Sequence, residues 1–245
     1  MQDLDERILS RYVELLLTTS PVLSPTAEVV LTYWLPDLGY IYLLEQPSLL
    51  VGGGTTGFRT WEASFLLSEW ILAQRDMNGK RILELGAGTG LVGIIAAKLG
   101  AKVTMTDGSE AVIERLQDNA GRNGLSIETK ALWWGEDDQL LSREWDLIIG
   151  ADITYDEEVC GSLAQTYAAV VNRGATGMLA ATVRNEQTLQ AFRKQSGKPF
   201  LIVVLIVETR RLHVEELARP QSKKRVFFGH NPFPVKLLRI AATTN

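Results

Sequence analysis

From residue 80 onward the chain alternates short apolar runs with longer amphipathic stretches. Arg81–Leu85, Lys102–Thr106, Ile127–Leu132, Trp145–Ile149, Thr176–Thr182, Phe200–Val207 and Val235–Ala241 read as strands. Between them, Leu91–Leu99 reads as a helix whose only charge is Lys98, and Ser109–Asn119 as one with Val112, Leu116 and Ala120 in register. Val159, Leu163, Tyr167, Val170 and Val171 mark one face of a further helix, and Glu186–Gln195 reads as another. Strands alternating with helices imply parallel pairing through right-handed crossovers. No helix-like segment separates the last two strands, because 208–234 holds Pro220, Gly229, Pro232 and Pro234. Those two strands are expected to pair antiparallel at the sheet edge. The expectation is an α/β fold: a doubly wound, mostly parallel seven-stranded sheet with helices on both faces.

The N-terminal part follows a different pattern. Leu4, Ile8, Tyr12 and Leu15 recur at helical spacing, Pro21 and Pro25 end that helix, and Ser24-Pro25 offers an N-cap for a second short helix. Val51–Thr56 is a break, so residues 1–54 read as a small N-terminal helical appendage and 55–245 as the main domain. Trp61–Gln74 predicts a helix with apolar residues on most faces, buried between layers.

Composition narrows the function more than the fold. With 245 residues, 46% hydrophobic and 22% charged, the chain is neither collagen-like nor disordered. The longest apolar run, Phe200–Val207, is far too short to span a bilayer, and Met1–Arg7 lacks signal-peptide character. Cys160 is the lone cysteine and there are two histidines, so a His/Cys zinc site is excluded; counting leaves a carboxylate-held magnesium open. A net charge of −4 opposes a basic groove for nucleic acid. These features predict a soluble, cytoplasmic protein with no membrane or direct nucleic-acid partner and no metal. Nothing resembles a coiled-coil seam, which predicts a monomer.

Arg81-Ile-Leu-Glu-Leu-Gly-Ala-Gly-Thr-Gly90 carries the candidate chemistry. Glycines directly after a first strand let the backbone turn tightly and approach a ligand. Gly88-Thr-Gly90-Leu-Val-Gly93 matches G-x-G-x-x-G, the dinucleotide pattern, but that pattern should begin where the strand ends, at Gly86, and then the third glycine position is Leu91. Glu84 also opposes a pyrophosphate and suits a ligand carrying positive charge. S-adenosylmethionine has a sulfonium, an amino group and no phosphate. Asp107, at the end of the second strand of this unit, is placed to accept ribose hydroxyls. It equally suits a cap on the following helix, and the two roles are compatible.

At these positions the sequence resembles the class I (seven-stranded, Rossmann-like) methyltransferases. More narrowly it resembles methyltransferase family 16, the seven-stranded protein-lysine methyltransferases. Thr56-Gly-Phe-Arg-Thr-Trp-Glu-Ala-Ser64, Leu132-Trp-Trp-Gly135 and Ala151-Asp-Ile-Thr-Tyr155 are similar to three elements of that family. Thr56-Gly with Thr60-Trp, and Thr182-Val-Arg-Asn185, point within it to the elongation factor 2 lysine methyltransferases. Trp133 stands where the family usually has an acid.

The resemblance implies that Trp61, Gly86, Ala87, Gly88, Asp107, Trp134 and Ala151 line the cofactor site, that Glu84 serves its methionine end, and that Arg59 contacts its carboxylate. Core packing is the other reading of Trp61 and Trp134, and an exposed loop residue that of Arg59. The implied activity is transfer of a methyl group from S-adenosylmethionine to a protein lysine, leaving S-adenosylhomocysteine, with elongation factor 2 as the partner. Asp152 and Tyr155, three apart just after a strand, are the candidate catalytic pair: Asp152 to orient the amine, Tyr155 to shape the channel. The other reading has Asp152 capping the helix from Asp156 with Tyr155 packed against it. The rivals are a same-fold methyltransferase acting on a small molecule or nucleic acid, a non-catalytic scaffold, and a nicotinamide-dependent oxidoreductase. Asp152-Ile-Thr-Tyr155 in place of an Asn-Pro-Pro-Tyr motif disfavours the nucleic-acid reading, intact Glu84 and Asp107 the scaffold, and the loop register the oxidoreductase.

Overall fold

The computed structural model describes Ser10, Ser24 and residues 26–49, 51, 54–74, 76–136, 139–182, 203–207, 210–217 and 235–242. The expected helix through Leu4–Leu15, the helix Glu186–Gln195 and the Val183-Arg-Asn185 motif lie outside the described residues.

Eight strands form one sheet: β3 (Arg81–Leu85), β4 (Lys102–Asp107), β5 (Glu128–Ala131), β6 (Leu147–Ala151), β7 (Thr176–Thr182), β8 (Val203–Val207), β9 (Arg210–Leu217) and β10 (Val235–Ala242), in the order β5-β4-β3-β6-β7-β10-β9-β8. The first five in that order pair in parallel, and β10, β9 and β8 add antiparallel. All seven expected strands form, and the sheet is mostly parallel. The expected direct pairing of the last two is corrected: β9 lies between β8 and β10. In Arg210-Arg-Leu-His-Val-Glu-Glu-Leu217 only Leu212, Val214 and Leu217 are apolar and four positions are charged besides His213, so the run does not stand out as a buried strand.

Along the central strands, side chains alternate between two cores. Ile82, Leu147, Ile149, Met178 and Ala180 face one layer, with α1 (Glu62–Ala73), α2 (Leu91–Lys98) and α3 (Glu110–Arg122). Leu83, Leu85, Ile148, Leu179 and Ala181 face the other, with α4 (Gln139–Ser142) and α5 (Glu157–Val171). Burial on both faces is why these strands read as continuous apolar runs.

The second short helix expected from Ser24-Pro25 does not form. Ala27 N–H closes a turn onto Ser24 O at 2.8 Å, and an antiparallel hairpin follows: β1 (Val29–Leu35) and β2 (Gly39–Glu45). Val29–Leu35 alternates inward and outward with period two, which is strand patterning. Asp37 and Gly39, both with positive φ, reverse the chain. Leu35, Ile41 and Leu43 are buried in the same core as α1–α3, so the hairpin is continuous with the main domain's packing. Among the described residues no helix is long and apolar enough to cross a membrane.

Candidate functional site

The chain leaves β3 for β4 on one side and β6 for β7 on the other, so a crevice opens between the C-terminal ends of β3 and β6. Open α/β sheets bind ligands at such a switch point. One wall is the glycine loop after β3, where Gly86, Gly88 and Gly90 have φ of 57°, 55° and 83°, a region closed to most side chains. A Cβ at Gly86 would lie 2.5 Å from Ile153 and 3.3 Å from Trp134, so the loops following β3, β5 and β6 meet at this point.

The residues singled out from the sequence come together here. Ala87 N–H donates to Thr106 O at 2.8 Å, fastening the glycine loop to β4. Asp107 ends β4; its carboxylate accepts the N–H of Gly88 (3.2 Å) and of Ser109 (3.1 Å), while Ser109 is itself the N-cap of α3. Ala151 ends β6 opposite Ala180 of β7. Trp134 is half-buried against the core beneath the loops, and Trp133 is exposed, its ring close to the Gly108 backbone. Trp61 is the N-cap of α1; its indole N–H donates to Thr56 O at 3.0 Å. Arg59 lies 4.7 Å from the Trp61 ring centroid and pairs with Glu62 at 3.6 Å.

Asp152 begins the loop after β6 with φ of 58°, and its carboxylate accepts the N–H and the hydroxyl of Thr182, both at 2.9 Å. The cap of α5 is Asp156, which accepts the N–H of Glu158 at 2.9 Å. Asp152 therefore does not cap that helix. Tyr155 projects from the same loop, 58% exposed.

The electrostatics centre on Glu84. Its position on β3 matches Ile82, toward α2, and it is 2% exposed with Oε2 lacking a hydrogen-bond partner among the described residues. Burial pushes its carboxyl up to about 8; the Gly93 N–H opposes the rise and the charge of Asp107 adds to it. Burial likewise raises Asp107, against the N–H groups it accepts, and raises the Tyr155 phenol, with the Asp107 and Asp156 charges adding. Among the described residues no cluster of three or more His, Cys, Asp or Glu is placed to hold a metal ion. A cavity of about 790 Å³ lined by Arg81, Lys102, Glu128 and Arg143 lies at the strands' opposite ends, away from this crevice.

Several contacts that build the site carry no signal in the sequence. The Gly57 backbone lies across the glycine loop, with its carbonyl 3.3 Å from where a Gly88 Cβ would be. Glu45, at the end of β2, accepts the Thr60 N–H at 2.9 Å and its hydroxyl at 2.6 Å, and the Thr60 hydroxyl meets that of Thr89 at 2.6 Å. Asn119 joins Thr89 O to both the N–H and C=O of Leu44. Thr56–Ser64 and the glycine stretch through Thr89 and Gly90 mark this region in the sequence, but not the bonds that join them to Glu45, Leu44 and Asn119.

The family model described as lysine methyltransferase matches residues 51–197. The chain belongs to the lysine methyltransferase family. Within that family it is 39% identical over 175 residues to the protein-lysine N-methyltransferase EFM3 of Chaetomium thermophilum, covering 65% of this chain and 52% of that one. It is 30% identical over 190 residues to the human protein-lysine N-methyltransferase EEF2KMT, covering 68% and 57%. The chain thus spans little more than half the length of these two relatives. The fold matches a Pyrococcus abyssi tRNA (uracil-54, C5)-methyltransferase solved with S-adenosyl-L-homocysteine, at a TM-score of 0.51, 18% identity and coverage of 87% and 44%.

Proposed function

We propose that this family member is an S-adenosylmethionine-dependent protein-lysine N-methyltransferase acting in the cytoplasm, as a monomer, on translation elongation factor 2. The observation that carries the proposal is the buried carboxyl of Glu84, at the end of the strand that leads into the glycine loop, whose Oε2 has no hydrogen-bond partner among the described residues. Burial keeps this acid protonated, and it gains its charge beside a cationic ligand but not beside a pyrophosphate; S-adenosylmethionine presents a sulfonium and an ammonium. The name of the human relative supports elongation factor 2 as the substrate.

In this reading Gly86, Ala87 and Gly88 hold the cofactor by backbone approach, Asp107 accepts the ribose hydroxyls, and Trp61, Trp134 and Ala151 line the site. Bound S-adenosylmethionine supplies a methyl group activated by its sulfonium. What the protein must do is deliver a neutral amine. At a reference pKa of about 10.4, neutralising lysine at pH 7 costs about 4.6 kcal/mol, a cost that desolvation beside a positive charge reduces. A neutral amine has two N–H donors and one lone pair. If Asp152 accepts one N–H, the lone pair is turned away from the carboxylate and into line for displacement. Asp152 suits this role because Thr182 fixes its carboxylate. Tyr155, at the exposed rim, shapes the channel and excludes water.

The test is transfer of labelled methyl to purified, hypomethylated elongation factor 2. Label on its lysine supports the full proposal. Label on another protein, such as elongation factor 1A, the substrate in the name of a mouse relative, would keep the chemistry and discard the substrate. Label on a small molecule or nucleic acid would overturn the protein-lysine reading.

A further inference from the structure

The hairpin β1–β2 does more than complete a core. Glu45, its last strand residue, is 1% exposed, yet it is a carboxylate on the strand end nearest the glycine loop. Both oxygens are engaged: Oε2 by the Thr60 N–H, Oε1 by the Thr60 hydroxyl at 2.6 Å and by the Tyr33 phenol at 3.4 Å. A threonine hydroxyl has one hydrogen. Since Thr60 gives it to Glu45, the 2.6 Å contact between hydroxyls requires Thr89 to donate to Thr60. Thr89 lies between Gly88 and Gly90, so one ordered hydrogen-bond chain runs from the hairpin, through the segment that carries Gly57 and Trp61, into the glycine loop. Gln46 N–H bonding Phe58 O at 2.8 Å, and Asn119 bridging Thr89 and Leu44, hold the same three pieces from either side.

We infer that Glu45 is a positioning residue for the cofactor site: through Thr60 and Thr89 it presses residues 55–61 against the glycine loop, so that the wall containing Gly57 and Trp61 exists before ligand arrives. This rests on reading the crevice as the S-adenosylmethionine site. Pre-ordering that wall removes an ordering cost from binding, so its loss is read in affinity. Glu45 is buried behind Thr60 and Tyr33, out of reach of a substrate, so kcat at saturating cofactor and the KM for the protein substrate should be unchanged.

Glutamine can replace Glu45 in this chain. Its oxygen accepts the Thr60 N–H, its amide donates to the Thr60 hydroxyl, and that hydroxyl turns to donate to Thr89. Alanine cannot. The experiment measures the Kd of S-adenosylmethionine by calorimetry, and amide hydrogen exchange of residues 56–61 in cofactor-free protein. The proteins compared are wild type, Glu45→Ala, Glu45→Gln, Thr60→Val and, as a control for core loss on the same strand, Leu43→Ala. Glu45→Ala should weaken binding about tenfold and Thr60→Val about threefold, with exchange faster at 56–61 in both. Glu45→Gln should stay within about threefold of wild type. Leu43→Ala should lower Tm without changing the Kd. The inference is overturned if Glu45→Ala binds as wild type does, or if Leu43→Ala weakens binding equally. Should wild type fail to bind S-adenosylmethionine, the cofactor reading falls, and hydrogen exchange alone decides the Glu45 link. Unaltered exchange at Thr60 in Glu45→Ala and Thr60→Val would refute it.

Discussion

Asp152 and Thr182 are joined by two 2.9 Å hydrogen bonds, from the threonine N–H and hydroxyl to the two carboxylate oxygens, across the ends of β6 and β7. Asp152 meets them with φ of 58°, a conformation costly for most residues and tolerated by Asp and Asn. The two bonds to Thr182 fix this carboxylate at the C-terminal ends of β6 and β7. Asparagine keeps the left-handed conformation and both bonds, with its oxygen facing the Thr182 N–H and its amide the hydroxyl. Asp152→Asn should therefore fold and bind S-adenosylmethionine within about twofold of wild type, yet lose on the order of 100-fold in kcat. Asp152→Ala should also lose about 2 kcal/mol of stability. Wild-type turnover in Asp152→Asn would remove the carboxylate from the mechanism.

Glu84 makes stability and cofactor binding respond oppositely to pH. Its carboxyl, near 4.5 when unfolded, is pushed up to about 8 by burial. The folded form therefore keeps a proton that the unfolded form has lost. This contribution is fully present below about pH 4.5 and disappears as pH rises through about 8. A bound cation favours the carboxylate, so S-adenosylmethionine binding should release protons near pH 7, measurable by calorimetry in buffers of different ionisation enthalpy. Glu84→Gln should raise the Tm of the cofactor-free protein at pH 8.5 by about 4–8 °C, corresponding to on the order of 2 kcal/mol. It should also weaken cofactor binding and abolish the proton release. Proton uptake on binding by the wild type would contradict the account.

Gly93 offers a test that runs against ordinary helix propensity. Replacing a mid-helix glycine with alanine normally stabilises by about 1 kcal/mol. Within α2, however, a Cβ at Gly93 would collide with Glu84 Oε2 and lie 2.7 Å from Met105 Sδ. Gly93→Ala should destabilise by about 2 kcal/mol in denaturant unfolding. A gain in stability would mean that Glu84 is not packed under this helix.

The parallel core of the fold was legible because strands buried on both faces leave unbroken apolar runs, and because Gly86–Gly90 stands directly after one of them. The same local signals put Asp107 and Asp152 at strand ends, where the structure has them. The hairpin was missed because Ser24-Pro25 looks like a helix start and masked the period-two pattern beginning at Val29. The bonds among Glu45, Thr60, Thr89 and Asn119 are not legible for another reason. Their bonds link residues 15 to 75 positions apart, and no spacing rule relates a strand end to a loop that distant. Thr182 was visible only as part of a motif; its partnership with Asp152 depends on β6 and β7 lying side by side.

Tyr155, exposed at the rim and on the same loop as Asp152, contributes little to the core. Tyr155→Ala should leave Tm within about 2 °C and cofactor affinity unchanged, while lowering kcat about tenfold. Tyr155→Phe should retain most activity, because the proposed role is shape and water exclusion. If phenylalanine lost as much as alanine, the hydroxyl would have a part in the chemistry.

The most direct measurement is a transfer assay with methyl-labelled S-adenosylmethionine and purified hypomethylated elongation factor 2, followed by mass spectrometry of the labelled band, with wild type and Asp152→Asn side by side. Wild type should label a lysine of the elongation factor, and Asp152→Asn should do so at about one-hundredth of that rate. Cofactor bound by calorimetry, with no label on any protein in this assay or in whole eukaryotic cell extract, would contradict the protein-lysine reading.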